Sequence, residues 1–264
     1  MAGYFGTQAQ KTLQKTAEDE ARFIATTPGA CQAGRMMGCD DPEILGWDRI
    51  GEFIARDGVC AFRLVDAGQI REIEAQLARR NCRLDTWNVF IADKATALDA
   101  AQAILCGGLP DGLAEREMPS DPEARLTEEV QAFMAAAGLV PFSGSMLVGS
   151  VGPAATTLIG NGDGRLVATA HGYLPHNAFS RFHRYAWGGL VAVADVERGK
   201  GLGKYVNALI IKTVFERLYA SHIYELVSAG NTASQKMVEA CGLHHDPAFV
   251  CGIATPIDAA RFTR

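Results

Sequence analysis

The sequence predicts an α/β protein built on a mixed sheet with flanking helices, and three observations carry that expectation. From about residue 58, strand-like apolar runs alternate with helical patterns. "NGDG" (161–164) lies between two β-type runs, where its residues tolerate the positive φ of a tight hairpin. A glycine-rich basic loop, "DVERGKGLGKY" (195–205), then joins an apolar run to a long helical pattern.

Taken in order, residues 7–25 read as a polar surface helix ending near Thr26, Thr27 and Pro28, and 28–47 as loop or short helical pieces punctuated by glycine and proline. "GVCAFRLV" (58–65) reads as a strand, and Ile70, Ile73 and Leu77 space a helix over 67–80. "TWNVFIAD" (86–93) is a second strand, and 94–108 an alanine-rich helix with Gly107 at C′. The stretch 109–125, with three prolines and seven charges, reads as a linker, dividing an N-terminal α/β region (1–125) from a second domain (126–264). A helix over 127–137 stops at Gly138; the hairpin follows, then a strand over 190–196 and the glycine loop. From Lys204 a helix carries Val206, Ile210, Val214 and Leu218 on one stripe, widened by Leu209. A strand (223–230), a helix closed by Gly242 and a strand (248–255) complete the order.

At 264 residues and 48% hydrophobic content the chain is long and apolar enough for a well-buried core. Its net charge of −5 argues against non-specific nucleic-acid binding. Yet Arg165, Arg181, Arg184, Arg198, Lys200 and Lys204 face only Asp195 and Glu197 within their segment, so an anionic small molecule is the natural partner. No secretory h-region opens the chain and no run reaches membrane-spanning length. The seven cysteines are odd in number, scattered and without a C-x-x-C pair; this supports neither a disulfide framework nor a metal site, and points to a reducing cytoplasm.

The loop suits a phosphate, but two familiar phosphate loops fail. A Walker loop needs a glycine where Arg198 stands and Ser or Thr where Tyr205 stands. The dinucleotide fingerprint begun at Gly199 needs glycine at Lys204. What remains is an arginine followed by G-x-G-x-G between strand and helix, which turns several backbone N–H groups into one concavity beside a positive helix dipole.

"LVAVADVERGKGLGKYVNALI" resembles the acetyl-coenzyme A loop of the GCN5-related N-acetyltransferase (GNAT) superfamily, with Arg198, Gly201 and Gly203 at the three fixed positions of [RQ]-x-x-G-x-[GA]. "NTASQKMVEACGL" resembles that family's Asn-led helix, with Asn231, Ser234, Met237, Gly242 and Leu243 in place. The resemblance covers about residues 140–255. It implies a splayed mixed sheet and transfer of an acetyl group from acetyl-coenzyme A, as cosubstrate and without metal, to an amine of a small molecule or peptide; it leaves a homodimer open. The cosubstrate would lie on Val191, Val193, Arg198, Gly199, Lys200, Gly201, Leu202, Gly203, Lys204, Asn231 and Ser234. Glu225, His171 and His183 are the alternatives for the base that takes the amine proton. The family's tyrosine acid would fall at Val238, which has no proton to give; Ser234 and Cys241 share its helical face.

Other readings stay open. Thr232 and Gln235 could form a capping box and nothing more. Trp47, Trp87 and Trp187 read as packing residues, while "FHRYAW" (182–187) is either a gate or a β-arm. The first half is an extension of the fold, a degenerate second copy or a substrate domain. Without the tyrosine, a non-catalytic acyl-coenzyme A-binding module remains the second function class.

Overall fold

A computed structural model describes residues 3–259; the outermost residues of the two expected domains, 1–2 and 260–264, lie outside it. The first half runs α1 (Gln8–Asp19), α2 (Ala21–Thr26), β1 (Ala30–Ala33), β2 (Met36–Cys39), α3 (Pro42–Leu45), α4 (Trp47–Asp57) and β3 (Cys60–Asp66). A 3₁₀ turn (Ala67–Gln69), α5 (Ile70–Ala78), β4 (Cys82–Asp93) and α6 (Lys94–Leu105) follow. The second half runs β5 (Leu113–Arg116), α7 (Arg125–Ala136), α8 (Gly144–Leu147), β6 (Ala154–Asn161), β7 (Leu166–Tyr173) and β8 (Tyr185–Val193). Then come a 3₁₀ turn (Asp195–Glu197), α9 (Leu202–Arg217), β9 (His222–Val227), α10 (Thr232–Ala240), β10 (His244–His245) and β11 (Phe249–Pro256).

All the strands join one mixed sheet, ordered β1-β2-β3-β11-β4-β9-β8-β7-β6-β5, with β10 pairing β4 off this path. The C-terminal strand β11 sits between β3 and β4, so the last segment of the chain closes the sheet of the first half. β4 is long enough to serve both halves: residues 82–87 pair with β11 and residues 88–93 with β9. Asp93 stops it by accepting from the N–H of Thr96 and capping α6.

The helix α9 is buried on two sides because apolar residues flank its stripe. Val206, Ile210 and Val214 meet the sheet, and Ala208, Ile211 and Phe215 are enclosed as well, in a cluster shared with Ala97, Ala101 and Val238. Close approach to the sheet needs Gly172, where an added Cβ would lie 2.6 Å from Val214 Cγ1. On the opposite face, Val130, Met134 and Phe142 cover Leu158 and Tyr173.

The two halves repeat one order: a bulged strand, a 3₁₀ turn, a helix, a strand and a helix. The bulges correspond. Leu64 in β3 (φ 50°) and Leu190 in β8 (φ 51°) are two of four described non-glycine residues in the left-handed region. Each strand carries one extra residue there against its neighbour, between Val250 and Gly252 in one case and between Thr169 and His171 in the other. This pairing favours the degenerate second copy among the three readings of the first half.

Three expectations need correction. Residues 28–47, expected as loop or short helical pieces, do hold the short helix α3, but also a hairpin turned at Gly34 (φ 63°) and Arg35. The predicted linker contains β5, which pairs antiparallel with β6 as an edge strand. The strand expected over 190–196 begins earlier, at Tyr185, and ends at Val193. No helix of the described residues is long and apolar enough to cross a membrane.

Candidate active site

The glycine loop sits where strand, helix and sheet edge meet. Gly199 and Gly201 have φ of 78° and 85°, and Gly201 is the N-cap of α9 with no side chain capping the free amides of the first turn. A sixteen-residue helix therefore presents uncapped N–H groups beside Arg198, Lys200 and Lys204, all exposed. Arg198 ion-pairs with Asp195 at 3.0 Å and Lys200 with Glu197 at 3.2 Å. Leu202 points inward and is buried, so only its backbone can face an anion. At Gly203 an added Cβ would stand 3.6 Å from Met237 Sδ and 3.7 Å from Val193 Cγ2, which brings the first turn of α9 against both α10 and the end of β8.

The sheet opens beside this loop. β8 and β9 pair in parallel from Tyr185 and His222 to Gly188 and Glu225, and no further. Beyond Gly188, β8 keeps β7 on one edge and has no strand on the other, so the backbone at Gly189–Val193 is free to bind an extended amide-bearing chain. The bulge at Leu190 turns the strand at this opening. Val191 and Val193 are half-buried, with their side chains packed toward the α9 core.

Glu225 is the last residue of β9 that pairs with β8, at the base of the opening. Its carboxylate is 3% exposed and accepts from Asn207 Nδ2 at 2.8 Å. Burial pushes its pKa up to about 7, against a smaller lowering by the Asn207 hydrogen bond. It lies against Gly188, whose missing side chain matters: a Cβ there would be 3.3 Å from Glu225 Cγ. Cys241 lies close enough for Glu225 to raise its thiol, already lifted by burial, to about 12; its Sγ donates to the Lys204 carbonyl at 3.7 Å.

The other predicted residues fall in different places. His171 is fully buried on the opposite face of the sheet from α9; its Nδ1 is 2.9 Å from Thr156 Oγ1, Nε2 has no partner, and burial lowers its pKa to about 3. His183 is exposed in the turn before β8, five residues from Gly188, roughly 16 Å along an extended strand, so it is not brought to the opening. Asn231 caps α10 by accepting from the N–H of Ser234 at 3.1 Å. This corrects the capping box at Thr232, since Gln235 instead donates to the carbonyls of Ser228 and Ala229. Val238 is enclosed in the core, which leaves no room for a tyrosine.

On the other face, a cavity of about 240 Å³ reaches the bulge. Its walls come from both halves: Arg35 and Arg63 from the first, Phe142, Tyr173, Trp187 and Leu190 from the second. The hairpin tip docks here, with Gly34 N–H donating to Tyr173 Oη at 2.7 Å and Phe142 pressed against Gly34. The Trp187 ring folds back over Gly189, where a Cβ would meet it at 2.5 Å, so this tryptophan lines the cavity mouth as well as packing. Sequence reasoning passed over Arg63, although an arginine inside the apolar run "GVCAFRLV" was a visible anomaly. It also passed over Asn207, a polar residue on the buried side of α9. A further cavity, about 570 Å³ around Tyr4, Lys11 and Lys15, shares no lining residue with this region.

Cys31, Asp40 and His176 form a buried cluster with metal-like spacing. Hydrogen bonds already account for it: His176 Nδ1 is 2.6 Å from Asp40 Oδ2, and Tyr224 Oη is 3.3 Å from His176 Nε2. Arg63 lies near enough to lower the His176 pKa, as burial does, and would repel a cation.

Comparison with known proteins gives a consistent fold. Residues 113–243 match the family model described as the acetyltransferase (GNAT) family. No curated protein matches the chain. Among solved structures, a GCN5-related N-acetyltransferase from Kribbella flavida aligns at 13% identity and TM-score 0.59, covering 94% of this chain and 96% of its own. A Drosophila protein aligns at 14% identity and TM-score 0.59, over 96% and 90%. A tandem GNAT protein of the clavulanic acid biosynthesis pathway aligns at 15% identity and TM-score 0.52, over 92% and 89%. At these identities the likeness establishes the fold.

Proposed function

We infer, from the premise that residues 113–243 place this chain in the GNAT acetyltransferase family, that it moves an acetyl group from acetyl-coenzyme A to the amine of a small molecule or peptide. The observation that carries this reading is the parting of β8 from β9 at Gly188 and Glu225, next to the uncapped N-terminus of α9. The residues fit the cosubstrate. Amides from Gly199 to Lys204 would hold the pyrophosphate, the open edge of β8 at Gly189–Val193 the amide-rich arm, and the end of α10 near Asn231 and Ser234 its far part. Bound there, acetyl-coenzyme A supplies an activated acyl group as a thioester.

The residues of this chain supply position and proton transfer. The amine nitrogen forms a bond to the acyl carbon as the carbon–sulfur bond breaks, and the amine loses a proton. Glu225 is the group placed for that proton, directly or through water, because its pKa of about 7 suits a base at neutral pH. His171, held near 3 by burial, takes up a proton too reluctantly to serve as the base at neutral pH, and His183 lies far from the opening. The departing sulfur has an ordinary thiol pKa near 8.5, so a thiolate leaves tolerably without a tyrosine at 238. The first half would supply acceptor walls through Arg35 and Arg63. Seven unpaired cysteines suit the reducing cytoplasm.

The test is release of free thiol from acetyl-coenzyme A on addition of amines, with the acetylated amine identified by mass. Amine-dependent release with matching product is the expected result. Tight coenzyme binding with no transfer to any amine would favour the non-catalytic module, which the missing tyrosine keeps as the second reading.

A further inference from the structure

The acceptor cavity has a chemistry of its own, and this inference rests on the acetyltransferase reading above. Arg63 rises from β3 and is 7% exposed, yet its Nε and Nη1 have no hydrogen-bond partner. Arg35, 8% exposed, donates through Nη2 to the carbonyls of Val140 and Pro141, which are dipoles rather than counter-charges. Among the described residues no carboxylate forms an ion pair with either arginine. Asp40, the buried acid of the same neighbourhood, is engaged by His176. A guanidinium cannot escape the cost by losing its proton at neutral pH. A buried guanidinium with two idle donors and no direct ion pair is unfavourable, and a bound anion relieves this.

Apart from Gln10, the rest of the cavity is apolar and aromatic. Phe142, Tyr173 and Trp187 form its wall, and Leu190 brings it to the bulge where β8 parts from β9. A volume of about 240 Å³ holds a molecule the size of an amino acid. The cavity therefore offers positive charge together with access to the strand that parts from β9.

We propose that the acceptor is an amine that also carries a carboxylate, an amino acid with an apolar body, whose carboxylate sits on Arg63 with Arg35 beside it while its amine is directed toward Leu190. Arg35 is already bonded to two carbonyls, so the free donors are those of one guanidinium, which balances a monoanion better than a phosphate.

The experiment compares matched pairs in the full-length protein with saturating acetyl-coenzyme A: L-phenylalanine against 2-phenylethylamine, L-leucine against 3-methylbutylamine, and 6-aminohexanoate against pentylamine. The expected result is kcat/KM at least about 10-fold higher for the carboxylate member of at least one pair. Arg63→Gln should remove that preference by raising KM for the acid at least about 10-fold, a larger rise than for its decarboxylated partner. Arg63→Met should melt no lower than the wild type, since it removes an unpaired buried charge. Should either variant fail to fold, Arg63→Lys keeps the charge and should retain part of the preference. Equal or better acetylation of every decarboxylated partner by the wild type would overturn the proposal and leave the acetyltransferase reading standing. So would a preference for O-phosphoethanolamine over ethanolamine with no preference for carboxylates. No thiol release with any amine would overturn both.

Discussion

Replacing Gly201 by aspartate will leave the protein folded and weaken acetyl-coenzyme A binding by at least about 100-fold. The position has φ of 85°, caps α9 and has nothing within 4 Å of where a Cβ would stand. Aspartate is among the residues that tolerate the left-handed region, and it is a favoured N-cap, so the helix itself gains a partner for its first turn. The same carboxylate occupies the amides and adds a negative charge where a pyrophosphate must sit. Two charges about 5 Å apart at an effective dielectric near 20 repel by about 3 kcal/mol, which is the stated loss. Gly203→Asp should act alike: its site has ordinary clearance to Met237 and Val193, so charge rather than crowding dominates. Isothermal titration of both variants, with melting curves as the folding control, makes the measurement. Unchanged affinity in two folded variants would remove the loop from the binding site.

Glu225→Gln will lower turnover by roughly 10²–10⁴-fold and abolish the limb of the pH–rate profile that rises near pH 7. Glutamine keeps the shape and can still accept from Asn207, so the loss reads proton transfer rather than packing. The same substitution has a stability signature of opposite sign. Because burial raises the carboxyl from 4.5 to about 7, the unfolded chain releases its proton first as pH rises. Wild-type stability therefore falls between about pH 4.5 and 7, by at most about 3 kcal/mol, and stays reduced above that window. The glutamine variant lacks this term, so it should match the wild type below pH 4.5 and exceed it at pH 8. Denaturant melts at the two pH values check it. A variant that keeps full turnover and its pH profile would move the base elsewhere.

The parts of the fold that were legible in the sequence are those fixed by local chemistry. Asn161 accepts from the N–H groups of Asp163 and Arg165, which is why "NGDG" announced a hairpin without tertiary help. Gly242, at φ of 86°, closed α10 where the pattern placed it. The loop was readable because glycines at positive φ and a helix start are backbone demands. The hairpin β1–β2 was not, because four-residue strands depend on distant contacts, including the bond from Gly34 to Tyr173. Nor was β5, a polar edge strand held by β6 alone. Which histidine or carboxylate meets the opening is a matter of register: Glu225 reaches it because it pairs with Gly188, and His183 does not because it precedes the strand. The cavity escaped notice since its two arginines belong to one half and its aromatic wall to the other. Only Arg63, charged within an apolar run, carried a trace of it.

The halves share a bulged strand, and only one has the glycine loop, while β11 fills the corresponding gap of the other. We therefore place acetyl-coenzyme A on the second half, along β8 and the start of α9. Amide hydrogen exchange with and without the cosubstrate tests this most directly. Exchange should slow chiefly at residues 189–193 and 199–204, with a smaller effect at the start of α10 and none across 60–70. Protection centred on 60–70, or none near the loop at saturating cosubstrate, would contradict it.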